Sequence, residues 1–293
     1  MRRISRKLLI LVVIINFIVM ILEGTTAIDN SKTTTTNNQT EKNRLEEIKG
    51  KGEITVDAPL NDITYFYLDT KTNKITGIDA DIITEIAKRL GINKVEINES
   101  PFSDLLENLN NDNSIDISAG GIYITPEREE LVSFTEPLYK GSEAIVVQTF
   151  SKINFTSDLK DAIVGVEKGT VFVTLAEKWK QNNLIKDIVI YETSADVLNA
   201  INCNKIDAGI VDSVIVKYSL LKDKNLLLRM LKDYTPEVYG TVGIAIRKND
   251  TTLLQAFNEK INEMKADGTL YAILVNNGLD KANMISDKWH KYP

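Results

Sequence analysis

The sequence predicts an α/β protein of two similar lobes with a cleft between them, and three observations carry that expectation. Short apolar strands alternate with amphipathic helices, the pattern of parallel β-α-β units. The stretches "IDISAGG" (Ile115 to Gly121) and "IDAGIVD" (Ile206 to Asp212) each follow an amphipathic helix and each end five residues after their aspartate, so the pattern occurs twice. At 293 residues, 43% hydrophobic and 26% charged, the chain can give each half its own core. Ligands of open parallel sheets gather at the carboxyl ends of the strands, and two such lobes facing each other leave a cleft for one.

The chain opens with Arg2, Arg3, Arg6 and Lys7 ahead of an apolar run from Leu8 to Leu22. That run is shorter than the roughly twenty residues that span a bilayer, and Thr25 and Ala27 supply small residues for cleavage. Residues 1–27 therefore read as a signal peptide; an uncleaved anchor is the alternative. The sole cysteine, Cys203, lies far from this segment, so neither an intrachain disulfide nor an N-terminal lipid is expected, and Cys203 itself reads as a small packing residue. Residues 28–43, polar and rich in threonine, read as a flexible tether.

The first lobe then begins, over 44–142. A short helix "RLEEIKGKG" precedes the strand "EITVDA", and "GIDADIITEIAKRLG" places Ile78, Ile82, Ile83, Ile86, Ala87 and Leu90 on one helical stripe closed by Gly91. Strand "KVEIN", a helix from Ser103 and strand "IDISAGG" complete this part. The second lobe, 143–240, holds the strands "AIVGV", "DIVIYE" and "IDAGIVD", with helices from Val171 and Ser194 between them. Residues 241–293 add helices from Thr252 and Thr269 with no third repeat, and are expected to cross back and complete the first lobe.

Net charge of −6, with lysines dispersed, gives no global attraction to nucleic acid. His290, the single histidine, sits near the C-terminus, which argues against a triad or a zinc site, and no metal or cofactor is expected. Asp79 and Asp81 fall at a helix start and read as capping and dipole complement.

Binding residues are better represented. Thr125 suits an N-cap and Pro126 the first helical position, which puts Arg128 in the first turn of a helix, where a cation opposes the dipole. It is either a surface arginine paired with Glu129, Glu130 or Glu136, or a receptor for a carboxylate. Gly120 and Gly121 suit a bulge or a close backbone approach. Gly169 and Thr170 precede a helix and serve as a cap or an anion site. Asp212 is an N-cap or a carboxylate for a ligand ammonium. Glu167 reads more readily as solvated than as a partner for a cationic side chain.

The motifs "GIDADI", "IDISAGGIYITPEREELVSFTEPLY", "VGVEKGT" and "KIDAGIVD", in this order and spacing, make the chain from about Leu45 to Ile285 resemble the bacterial extracellular solute-binding proteins, family 3, that deliver polar amino acids to ABC transporters. The resemblance implies a type II periplasmic-binding-protein-like fold, with two hinge crossings near Lys140 to Val146 and Tyr239 to Ile244. It implies that Arg128 grips an α-carboxylate and Asp212 receives the α-ammonium. Gly121 and Thr170 would contribute further contacts, and Phe102 a wall. Tyr123 stands where the family usually has serine or threonine, which narrows the pocket, and "DAPLNDITYFYLD" departs from the usual lid sequence, leaving the lid residue open between Tyr65 and others. The implied protein is exported, periplasmic or extracellular, monomeric and not an enzyme, with an amino acid and a membrane permease as partners. A ligand-sensing receptor domain and a dehydratase-type enzyme on the same fold are the alternatives.

Overall fold

The computed structural model describes residues 43–60, 64–69 and 71–285. The signal peptide, nearly all of the tether and His290 lie outside the described residues.

Among the described residues, nine helices and thirteen strands follow in chain order. The first group is α1 (Arg44–Lys51), β1 (Glu53–Ala58), β2 (Tyr67–Asp69), β3 (Lys74–Thr76), α2 (Ile78–Leu90), β4 (Lys94–Glu99), α3 (Leu105–Asn111), β5 (Ile117–Ser118), α4 (Pro126–Glu129) and β6 (Ser133–Phe134). The long strand β7 (Tyr139–Gln148) leads to β8 (Ile163–Glu167), α5 (Val171–Gln181), β9 (Asp187–Tyr191), α6 (Ser194–Asn202), β10 (Ala208–Asp212), α7 (Ser213–Lys222) and β11 (Leu228–Met230). The chain ends its described course with β12 (Tyr239–Val242), β13 (Ala245–Ile246), α8 (Thr251–Asp267) and α9 (Thr269–Asn276).

Two sheets result. The first runs β4-β1-β5-β13-β6, and the second β11-β7-β10-β8-β9. In both, the central strands are parallel: β1 with β4 and β5, and β8 with β9 and β10. The quasi-repeat is visible atom by atom. Asp116 donates its N–H to Thr55 O (2.9 Å) while its Oδ2 accepts from Thr55 N (2.8 Å). Asp207 does the same with Ile163 O (3.0 Å) and Ile163 N (2.8 Å). Each aspartate thus clips the incoming strand to its parallel neighbour and sets the register of a strand whose far end faces the cleft.

Helix α2 buries Ile78, Ile82, Ile83 and Ile86 against α8, whose Leu253, Phe257, Ile261 and Met264 are likewise buried. Truncating a side chain such as Phe257, 0% exposed, to alanine would cost about 3–5 kcal/mol. The C-terminal helices therefore return to the first sheet, as β13 does by pairing with β5 and β6. Between the sheets, β7 and β12 run antiparallel, with Gly141 opposite Gly240 and Tyr139 opposite Val242. These two strands are the crossings.

Strand β5 is shorter than the sequence pattern implies. Ala119 still donates to Asp57 O, but Gly120 and Gly121 leave the ladder because a buried carboxylate takes both of their N–H groups.

Candidate functional site

That carboxylate is Asp79. Its Oδ2 accepts from Gly120 N (3.0 Å) and Gly121 N (2.9 Å), and its Oδ1 from the Tyr139 hydroxyl (2.8 Å). The expectation that Asp79 caps its own helix is incorrect: the helix presents it inward, fully buried, to fix the strand-end glycines. Burial raises its carboxyl above the usual range, opposed by the three hydrogen bonds. Asp81, its neighbour in the pair, instead accepts from Thr76 Oγ1 (3.0 Å) and Asn277 Nδ2 (2.9 Å). Gly121 has φ +73°, and a Cβ there would lie 2.3 Å from the Tyr65 ring, so backbone and aromatic face meet directly. Tyr65 is stacked in turn near Tyr139, centroids 6.4 Å apart.

Arg128 follows on a single turn. Thr125 Oγ1 accepts from Arg128 N (3.3 Å), as an N-cap should. Four residues make too short a helix for a sizeable dipole, so the dipole argument for its placement has little force. The guanidinium is held by neutral groups: it donates from Nη1 to Tyr123 O (2.8 Å) and from Nη2 to Gly169 O (3.0 Å), and lies 5.6 Å from the Phe102 ring centroid. Among the described residues no carboxylate forms a salt bridge with it; Glu129, Glu130 and Glu136 are exposed, and Glu136 pairs with Lys265. Burial of a cation with no such partner pushes its pKa down to about 10, still charged at neutral pH.

Asp212 meets this group from the second sheet. Its Oδ1 accepts from Val214 N (2.7 Å), capping α7, and its Oδ2 accepts from the Tyr123 hydroxyl (2.6 Å). Burial raises the Asp212 carboxyl, and these hydrogen bonds oppose the rise. The Tyr123 ring passes over the crossing strands, where a Cβ on Gly141 or Gly240 would come within 2.3 and 3.0 Å of it, and it meets Phe172 edge-on. Tyr123 thus does narrow the pocket, and its hydroxyl reaches the opposite side.

Thr170 does not cap α5 through its side chain; its hydroxyl donates to Glu167 O (2.7 Å). Glu167 corrects the reading as a solvated residue. It is 8% exposed, accepts from the Ser194 hydroxyl and shares its surroundings with Asp212 and Asp196. Burial, then the nearby Asp212 charge, pushes its carboxyl up to about 7. Cys203 is a further correction: it is the exposed C-cap of α6 and not a buried packing residue.

The cavity between the strand ends is lined by Phe102, Gly121, Tyr123, Arg128, Thr170 and Asp212, all singled out in the sequence. Gly169 contributes its carbonyl to Arg128. Tyr65, Glu167, Phe172, Ser194 and Ile215 complete the lining, and the space as it stands is small, about 30 Å³. Of these, Phe172 and Ser194 carried a signal in retrospect, since both sit in the first turn of a helix that begins at the cleft end of a strand. Among the described residues no cluster of His, Cys, Asp and Glu could hold a metal, and no helix is long and apolar enough to cross a membrane.

The pattern of the bacterial extracellular solute-binding proteins, family 3, matches residues 54–277. The chain is 29% identical over 221 residues to the histidine-binding periplasmic protein of Salmonella typhimurium, covering 71% of this chain and 82% of that one. It is 29% identical over 202 residues to the ABC transporter arginine-binding protein 1 of Escherichia coli, covering 69% and 81%. The crystal structure of the ancestral amino acid-binding protein AncCDT-1, a precursor of cyclohexadienyl dehydratase, matches with a TM-score of 0.69 at 28% identity, covering 79% and 98%.

Proposed function

Because the chain belongs to the bacterial extracellular solute-binding proteins, family 3, we propose that it captures an amino acid between its two sheets and delivers it to the permease of an ABC transporter. The observation that carries this reading is the half-buried Arg128 guanidinium, without a carboxylate partner among the described residues, in the same aromatic-walled cavity as Asp212. A planar fork of N–H donors matches an α-carboxylate, and a carboxylate at the opposite wall matches an α-ammonium. Gly121, Thr170 and Phe102 shape the space between these groups, and Tyr65, packed against Gly121, is the aromatic cover. The names of the relatives support an exported protein working on the outer side of the membrane. Closure would turn on the β7 and β12 crossings.

Calorimetric titration with common amino acids, together with mass spectrometry of whatever copurifies, tests the reading. Binding of an amino acid that Arg128→Ala abolishes is the expected result; no binding by any of them refutes it.

A second reading has one observation in its favour. Glu167 is a buried carboxyl near pKa 7 in the same cavity, where the sequence suggested no catalytic acid, and such a group can protonate a leaving hydroxyl. The likeness to a dehydratase precursor points the same way. Incubation of bound ligand followed by NMR distinguishes the two: an unchanged ligand leaves a binding protein.

A further inference from the structure

We infer that the cavity selects an amino acid with a cationic side chain, and that Glu167 is the residue that receives that charge. The inference rests on the amino-acid reading above and follows from a ledger of charges. Arg128 and Asp212 are neutralised by the α-carboxylate and α-ammonium of any amino acid. Glu167 is then left over. Its carboxylate accepts from neutral groups of Ser194, the hydroxyl and the backbone N–H, and the charged groups facing it, Asp212 and Asp196, are both acidic. An ionised carboxylate enclosed with more negative charge is costly unless a cation joins it.

The space beyond Glu167 fits such a side chain. A second chamber, of about 250 Å³, shares Phe102, Glu167 and Ser194 with the first. Leu60 and Pro101 give it apolar walls, on which an aliphatic stem can lie, and Glu99 and Glu192 stand at its edge. Lys168, paired with Glu192 at 3.5 Å, is half-exposed and screened by solvent. A side chain leaving the Arg128–Asp212 anchor through this opening meets Glu167 first and an acidic margin next.

The test is calorimetric titration of the purified chain at pH 8 with L-arginine, L-lysine, L-glutamine and L-citrulline, the last being an uncharged isostere of arginine. Arginine or lysine should bind roughly 30-fold or more tightly than citrulline, and Glu167→Gln should bring the ratio close to one. Equal affinity of the wild type for arginine and citrulline overturns the inference without needing the variant. A ratio that persists in a Glu167→Gln protein with an intact melting transition overturns the role of Glu167. Binding of neutral amino acids alone defeats this inference and leaves the amino-acid reading standing, whereas absence of binding by every common amino acid defeats both.

Discussion

The Tyr123 hydroxyl donates to the Asp212 carboxylate at 2.6 Å, joining a loop of the first sheet to a strand end of the second across 89 positions of sequence. Where a small hydroxyl residue would leave this carboxylate to the ligand and solvent, Tyr123 occupies one of its oxygens. Tyr123→Phe removes that donor and keeps the ring over Gly141 and Gly240. The expected loss of unfolding free energy is about 1–3 kcal/mol, the range for a hydrogen bond to a buried charged acceptor, measured by urea denaturation. An unchanged midpoint and slope would mean that the contact is absent from the ligand-free protein in solution.

Arg128 makes its contacts to carbonyls on both sides of the cavity, Tyr123 O and Gly169 O. Arg128→Ala should weaken amino-acid binding by roughly 2–5 kcal/mol, because the ligand carboxylate would be buried unpaired. Arg128→Lys should recover only part, since an ammonium keeps the charge without the two-pronged geometry. Titration of both variants beside ligand-free melts checks this; undiminished affinity with a lowered melting temperature would make Arg128 a structural residue.

If the crossings act as a hinge, saturating ligand should hold the lobes together and reduce the radius of gyration in small-angle scattering. The paired Gly141 and Gly240 give Tyr123 its seat on these crossings. Identical scattering curves with and without a ligand proven to bind would show that the cleft is fixed in one state.

Local signals sufficed for most of the fold. Gly91 after a clean helical stripe and Thr125-Pro126 before Arg128 are short-range devices, and the structure uses them at the positions they mark. The paired Asp116 and Asp207 show why the quasi-repeat was legible: each forms the same two hydrogen bonds with its own first strand. Asp79, Glu167 and Cys203 were misread for a common reason. Their surroundings come from residues distant in sequence: Tyr139 and the two glycines for Asp79, Ser194 and Asp212 for Glu167, and for Cys203 the exposed end of α6. A carboxylate at a helix start looks the same in sequence whether the helix turns it outward or inward. Phe172 and Ser194 escaped because a position in the first turn of a helix becomes a site position only once two sheets face each other.

Asp79 offers a test of that inward turn. Asp79→Ala would leave Gly120 N, Gly121 N and the Tyr139 hydroxyl without their acceptor in a buried setting. The expected cost is about 3–5 kcal/mol of stability, with loss of ligand binding because the strand end is no longer fixed. Asp79→Asn should be milder, since its amide oxygen can still accept. Equal destabilisation by both would show that the negative charge, and not the acceptor, is what the site requires.

Glu167 makes stability and ligand choice depend on pH in a calculable direction. Its carboxyl titrates near 4.5 in the unfolded chain and is pushed up to about 7 by burial in the folded one. The folded state therefore holds the proton more tightly, and this group's contribution to stability is full below about pH 4.5 and is lost as pH rises through about 7. A shift of that size corresponds to roughly 3 kcal/mol. Asp212 and Asp79, also raised by burial, act in the same direction from a lower starting pH. Glu167→Gln removes the Glu167 share alone, so the variant should gain on the wild type between pH 5 and pH 8 in paired urea denaturations. Parallel profiles would show that the carboxyl is not buried in solution. A bound cationic side chain reverses the balance by stabilising the ionised carboxylate, which must then release its proton. Arginine binding near pH 6 should accordingly release close to one proton, read from titrations in buffers of different ionisation enthalpy, and Glu167→Gln should abolish the release. A neutral ligand has no charge with which to displace that proton, so glutamine should release none.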